Sequence, residues 1–324
     1  MVILNRLHAL WHPSCFHGWG RNRRFFEGWY YKIVNQDQSE AMAIIPGIAM
    51  DEKGQKQAFI QVLDGIRETA VYHRFDANEF VPSPKTHSLR IGDNFFTEQQ
   101  MKLALPELKG EVFFDHLNPW SSSVFSPGIM GPFSFVPFME CYHGILSMNH
   151  KIRGGFTYQG KPLTFEKGKG YIEKDWGHSF PEAYMWMQTN HFSEEGISVK
   201  ASIAKIPWLG SSFIGHIAGV LLNGQLYEFT TYNGTRLIQC VISSDQVQVE
   251  MANRKYRLRL NAKREKSTAL AAPISGFMDG RIEESMKAEV EVELYDKITK
   301  TILLADTGTS GGIEVAGKYA LLAR

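Results

Sequence analysis

The chain has 324 residues, 44% hydrophobic and 21% charged, which is enough apolar material to fill two cores, so a disordered chain is excluded and two domains are expected. Lysine and arginine total 35 against 34 acidic residues, a net charge of +1, so no global field draws the molecule to nucleic acid or anionic lipid. Cys15, Cys141 and Cys240 are widely separated and lack Cys-x-x-Cys spacing, which argues against disulfides and structural zinc and fits a reducing compartment.

Residues 1–11 contain no apolar run of signal-peptide length and none of the Arg/Ser richness of a transit peptide. No stretch reaches the ~20 apolar residues that span a bilayer. A cytoplasmic protein without membrane spans is therefore expected. Along the chain, short runs rich in β-branched and aromatic residues are closed by Gly, Asn, Asp or Pro, and few segments have the pattern of a long amphipathic helix. The predicted strands are 27–34, 42–50, 58–63, 111–115 and 143–149 in the first half. In the second half they are 185–192, 198–206, 215–222, 225–232, 237–243, 247–251, 256–261, 287–295 and 301–305. Asn223-Gly224 between two apolar runs is a strong hairpin signal, and 51–54 and 158–160 carry similar turn chemistry. Strands recurring about every ten residues predict an antiparallel meander that curls into a barrel or sandwich and so hides its edges.

Two stretches break this texture. Between residues 80 and 137, Pro82, Pro84, Pro119, Pro127, Pro132 and Pro137 predict a long structured loop. Gly154, Gly155, Gly160 and Pro162 mark a boundary near Gly160, giving domains 1–160 and 161–324, although a hairpin inside the first domain would carry the same signal. The run Arg21, Arg23, Arg24 reads as a solvated basic turn and 308–312 as a glycine turn.

Two aromatic clusters carry the functional signal. The first packs Phe16, Trp19, Phe25, Phe26, Trp29, Tyr30 and Tyr31 around Glu27, His12 and His17. Period-2 alternation puts Glu27, Trp29 and Tyr31 on one face, and if that face is buried, Glu27 must be hydrogen-bonded, paired or protonated. The second cluster spans 170–181 and 184–192, where Tyr184, Trp186, Gln188 and Asn190 alternate with Met185, Met187, Thr189 and His191. Asp175 is expected in the turn before this second strand, among Trp176, Phe180 and Trp186. Such surroundings disfavour the carboxylate and make the group a candidate general acid. The same residue types also suit a barrel core and a self-capping Asp turn, so a purely structural role stays open on these grounds.

Trp11-His12-Pro13, His17-Gly18 and residues 26–32 resemble the amino-terminal signature of the tocopherol cyclase family. Residues 171–181 with 186–192 resemble its most distinctive block, and 270–273, Glu284-Ser285 and 312–317 resemble its carboxy-terminal motifs. The resemblance runs from about residue 11 to residue 317. It implies an all-β architecture of two lipocalin-like antiparallel β-barrel domains with few short helices, related to that of carotenoid hydratases. It also implies an apolar ligand site inside or between the barrels, and closure of a chromanol ring from a prenylated hydroquinone. Plant members carry a plastid transit peptide, and a Tyr is expected where Cys15-Phe16 stands; both departures leave the substrate open.

Ring closure of that kind needs an acid to protonate the alkene, a dry aromatic site for the tertiary cation, and a base for the phenol proton. Capture of the same cation by water would make a hydratase. Asp175 is the first choice of acid and Glu27 the second, with His178 or His191 as base. Trp29, Tyr31, Trp176, Trp186, Gln188 and Asn190 are the expected substrate contacts. No cofactor is expected, since nucleotide-binding glycine motifs and a serine elbow are missing. No metal is expected either, because His8-x3-His12 and Glu140-x2-His143 do not form a recognised ligand set. The expected partner is an apolar small molecule such as a prenylated quinol, lipid or terpenoid, with peripheral membrane contact as a route of uptake; nucleic acid is not a partner, and subunit number is open. The alternative function is a non-catalytic carrier of such a ligand, separated from the enzyme by whether Asp175, Glu27 and the histidines converge on one buried cavity.

Overall fold

Apolar residues at every second position bury one face of a strand, and that period governs most of the chain in the computed structural model, which describes residues 1–264 and 266–324. Two units form, Met1–Phe180 with Leu270–Arg281, and Pro181–Ala269 with Ile282–Arg324. The division falls between Phe180 and Pro181 rather than near Gly160. Gln159 and Gly160, with φ of 48° and 80°, turn a hairpin inside the first unit, where Tyr158 pairs with Lys161.

The first unit opens with a helix, α1 (Val2–Trp11), followed by β1 (Phe25–Val34), β2 (Ala41–Met50), β3 (Lys56–Asp64) and β4 (Thr69–Asp76). Short strands β5 (Phe80–Pro82), β6 (Ser88–Ile91), β7 (Asn94–Thr97), β8 (Gln100–Ala104) and β9 (Leu108–Asp115) come next. The unit is completed by β10 (Cys141–Tyr158), β11 (Lys161–Thr164) and β12 (Gly168–Gly177). The sheet order is β4-β3-β2-β1-β12-β10-β9-β8-β7-β6-β5, with β11 on β10. The last strand of the unit thus enters the middle of the sheet, antiparallel to both β1 and β10.

Much of the proline-rich region expected to be loop is therefore strand. Pro82 is tolerated because it ends β5, the edge strand, where a missing N–H breaks no ladder. The Gly154-Gly155 pair is not a linker either: it lies within β10, and a Cβ on Gly154, at φ 101°, would come within 2.5 Å of the Glu111 carbonyl of β9. Glycine admits the close approach of neighbouring backbone there.

The second unit contains β13 (Ala183–Thr189), β14 (Ile197–Trp208), β15 (Ser211–Leu222), β16 (Gln225–Thr230) and β17 (Arg236–Ile242). It continues through β18 (Gln246–Ala252), β19 (Tyr256–Lys263), β21 (Phe277–Asp296) from Ile282 on and β22 (Thr301–Gly317), while β20 (Thr268–Ile274) from Leu270 on and the start of β21 belong to the first unit. The order is β16-β15-β14-β13-β22-β21-β19-β18-β17, with β20 on β21. Asn223 and Gly224, at φ of 50° and 80°, make the predicted tight hairpin between β15 and β16. Residues 308–312 are strand rather than turn.

Each sheet wraps its own apolar core, built on Trp29, Ile44 and Phe114 in the first unit and on Met185, Val220 and Leu258 in the second. The result is the all-β, lipocalin-like pair of antiparallel units expected from sequence. Among the described residues no helix is long and apolar enough to cross a membrane, and all three cysteines are free.

Candidate functional site

The pairing of β1 with β12 sorts the candidate residues onto two faces. Glu27 stands opposite Trp176, Trp29 opposite Lys174, and Gly28 opposite Asp175. Residues paired across an antiparallel ladder share a face, so Glu27, Trp29, Lys174 and Trp176 look into the core, and Asp175 looks away from it.

On the inner face Glu27 is fully buried and forms an ion pair with Lys174 Nζ at 2.5 Å. Its carboxylate also accepts the backbone N–H groups of His17 at 2.9 Å and Gly18 at 3.0 Å. Lys174 Nζ donates to the carbonyls of Pro13, at 3.0 Å, and Cys15, and to His17 Nδ1 at 2.8 Å. The ammonium sits 4.7 Å from the Trp29 ring centre and 4.8 Å from that of Trp176. Burial alone would raise the Glu27 carboxyl, but the Lys174 charge and the His17 contacts outweigh it and hold the group below the usual carboxylate range. Burial, reinforced by Lys174, pushes the His17 imidazole down to about 4, so it stays neutral and stacks on Trp176 at 4.0 Å.

Glu27 is thus an ionised, saturated anion, not the shielded neutral acid considered from sequence. Trp29 and Trp176 already face a cation, that of Lys174. Tyr31 lies deeper on the same face, bonded to His87 Nε2 at 2.5 Å and donating to the Thr97 carbonyl at 3.1 Å.

The opposite face carries a different array. Within β12, Tyr171, Glu173 and Asp175 alternate with Ile172, Lys174 and Trp176, and the neighbouring β10 sets His143 directly across from Asp175. His143 Nδ1 lies 2.8 Å from Asp175 Oδ1, while Nε2 lies 3.5 Å from Glu173 Oε2. The Tyr171 hydroxyl donates to Glu173, and the Cys141 thiol approaches Asp175 Oδ1 at 3.7 Å. Burial, followed by the nearby carboxylates, pushes both the Tyr171 hydroxyl and the Cys141 thiol well above their usual ranges, so both are neutral donors.

The imidazole thus hydrogen-bonds one carboxylate through Nδ1, while its buried Nε2 has no hydrogen-bond partner, the Glu173 oxygen standing 3.5 Å away. Single ligand atoms of His143, Glu173 and Asp175 also lie within 4.8 Å of one another, so the set can hold a divalent cation. Asp175 is accordingly inside a strand and bonded to a histidine, not in a turn enclosed by Trp176 and Phe180.

His178 is placed near this region through its backbone, donating to the Glu140 carbonyl at 2.8 Å. Burial and then Arg24 and Arg21 lower its imidazole pKa, and no hydrogen bond among the described residues joins it to Asp175. His191, Trp186, Gln188 and Asn190 belong to the second unit. His191 bridges Thr309, and Trp186 and Gln188 alternate with the core residues Met185 and Met187 along β13. A groove of about 570 Å³ on the second unit, lined by charged residues such as Glu250, Arg259 and Glu293 together with Val249, Leu260 and Val292, holds none of the predicted residues.

Glu173, Tyr171 and Lys174 have no role assigned from sequence, and His143 enters there only as a dismissed metal ligand beside Glu140. Alternation applied to 171–176 separates Tyr171, Glu173 and Asp175 from Lys174 and Trp176; His143 had no local signal, its partner being 32 residues distant.

Comparison with known proteins gives a consistent picture. The family model described as Tocopherol cyclase-like matches residues 117–317, a span that holds the whole His143–Asp175 array. A stretch of 192 residues is 24% identical to the probable chloroplastic tocopherol cyclase of Oryza sativa subsp. japonica. Another of 197 residues is 25% identical to the chloroplastic tocopherol cyclase of Zea mays. Each stretch covers 56% of this chain and 40% of the plant protein, so the chain spans less than half the length of these curated relatives. In fold the chain is similar to CghA crystallised with Sch210972, at a TM-score of 0.58 and 9% identity over 90% of this chain and 88% of that one.

Proposed function

The chain belongs to the tocopherol cyclase-like family, and from that premise we propose that it is a proton-initiated cyclase or hydratase of a prenylated, lipophilic substrate, with chromanol ring closure as the leading reaction. The observation that carries this reading is His143 bonded to Asp175 at 2.8 Å, with a Glu173 oxygen 3.5 Å from its buried, unbonded Nε2. A proton passes from the Asp175–His143 pair to the alkene carbon that leaves the more substituted cation. The phenol oxygen bonds to that cation and its proton returns to the pair, so reactant and product are isomers and no cofactor is consumed. If water supplies the oxygen, the product is a tertiary alcohol. His143 takes the base role that sequence assigned to His178 or His191, because it is the imidazole in contact with Asp175. The free cysteines support work in a reducing compartment such as the cytoplasm.

The test is turnover of a synthetic prenylated hydroquinone, resolved from its isomer by chromatography. Asp175→Asn and His143→Gln are each expected to lower the rate by about 10²–10⁴-fold, the usual worth of a positioned acid or base. Protein treated with a chelator should keep its rate. Parental rates in both variants would overturn the assignment, and a loss on chelation restored by zinc would move the chemistry to a metal.

A further inference from the structure

We infer that the first unit docks on an anionic lipid surface through α1 and the loop formed by residues 121–138. In a surface helix of a globular protein the apolar stripe ordinarily faces the core. In α1 it faces water: Ile3, Leu4, Leu7 and Trp11 fall at i, i+1, i+4 and i+8, and are 73%, 69%, 51% and 39% exposed, while Ala9 is the residue the helix buries. The loop lies against this stripe, since Trp11 Nε1 donates to the Val124 carbonyl at 2.9 Å and the Trp11 ring meets Phe135 edge-on at 5.8 Å. At the loop tips Phe125 and Phe138 are 83% and 94% exposed. Two nearly naked phenylalanines beside an outward apolar helix form a patch that monomeric proteins do not leave in water.

Charge selects the occupant. Residues 1–26 hold Arg6, Arg21, Arg23 and Arg24 and no Asp or Glu, and residues 117–139 hold no charged side chain; Arg24 pairs with Glu52 at 3.7 Å, so Arg6, Arg21 and Arg23 make the local excess that the near-zero charge of the whole chain conceals. The arginines flank the stripe: Arg6 Nε donates to the Trp19 carbonyl at 2.6 Å, and a Cβ on Gly20 would lie 2.9 Å from Val2 Cγ1. That contact sets the run from Arg21 to Arg24 beside the start of the helix. Aromatic tips that enter the acyl boundary, with guanidinium groups at the level of the phosphates, are what an anionic bilayer accepts. The run that looks like an idle basic turn in sequence acquires a partner.

The docking does not depend on the chemistry proposed above and is read without turnover. The test floats the protein with vesicles of phosphatidylcholine and phosphatidylglycerol at three to one, and with phosphatidylcholine alone. Wild type should bind the anionic vesicles, weakly bind the neutral ones, and lose the difference at high salt. Phe125→Ser with Phe138→Ser should weaken binding at least tenfold, and Arg21→Gln with Arg23→Gln by about fivefold for each arginine at low salt. Circular dichroism and sedimentation velocity accompany each variant. The inference fails if wild type does not float, if folded variants float equally, or if wild type is a dimer that the phenylalanine changes split, which would give the patch to a second copy.

Discussion

Lys174 shows how much of this fold rests on one side chain. Its ammonium closes the charge of Glu27, ties down the carbonyls of Pro13 and Cys15, and lies between two tryptophan faces. A buried ion pair gains little over apolar residues of similar size, but removing one partner strands the other. Lys174→Met should therefore cost about 3–5 kcal/mol in denaturant unfolding, because Glu27 is left charged in the core. In a Glu27→Leu background the same change should cost much less. Equal losses in both backgrounds would mean that Lys174 acts through packing alone. Hydrogen exchange at the His17 and Gly18 amides should rise in Lys174→Met, since those amides are bonded to the Glu27 carboxylate.

Strands and turns were legible where side chains alternate and where Asn-Gly or Asp-rich turns close the run; the segments around β1, β2, β14, β15 and β18 were each placed within a few residues. Elements were missed where local chemistry imitates something else. The strands β5 to β8 are three to five residues long and interrupted by turns, so their period is too short to read. Glycines inside β10 resemble a linker until the carbonyl of Glu111 is seen against them. Buried histidines add an element-scale prediction, since burial holds His17 at about 4, His87 and His150 at about 3, and His216 at about 4. An unfolded histidine near 6.5 binds a proton that the folded one refuses, so each contributes stability that is complete above pH 6.5 and lost as pH falls toward 4. The loss approaches about 1.4 kcal/mol per pH unit for each histidine in that window. Three of the four are in the first unit, so amide exchange corrected for intrinsic rate should show it loosening several-fold more than the second between pH 7 and pH 5. Equal loosening of the two units would contradict this.

For the whole molecule, the all-β character followed from period-2 texture and turn spacing. The site followed only in part. Asp175 was proposed because a carboxylate among rings is conspicuous, yet its environment was misjudged: Gly170, Gly177 and Pro181 bracket the segment and disguise a strand as a turn. Glu27 was listed among groups that burial would force to bond, pair or protonate, but its partner Lys174 comes from β12, far away in sequence, and carried no signal of its own. His143 is a tertiary neighbour, and a single sequence carries no trace of a contact across strands. The proposed reaction requires that a proton from this array start it. Incubating the purified protein with a prenylated hydroquinone in deuterium oxide tests that most directly. One non-exchangeable deuterium per product molecule, with none formed by Asp175→Asn, is the predicted result. Product free of deuterium, or quantitative recovery of the substrate bound and unchanged, would contradict it.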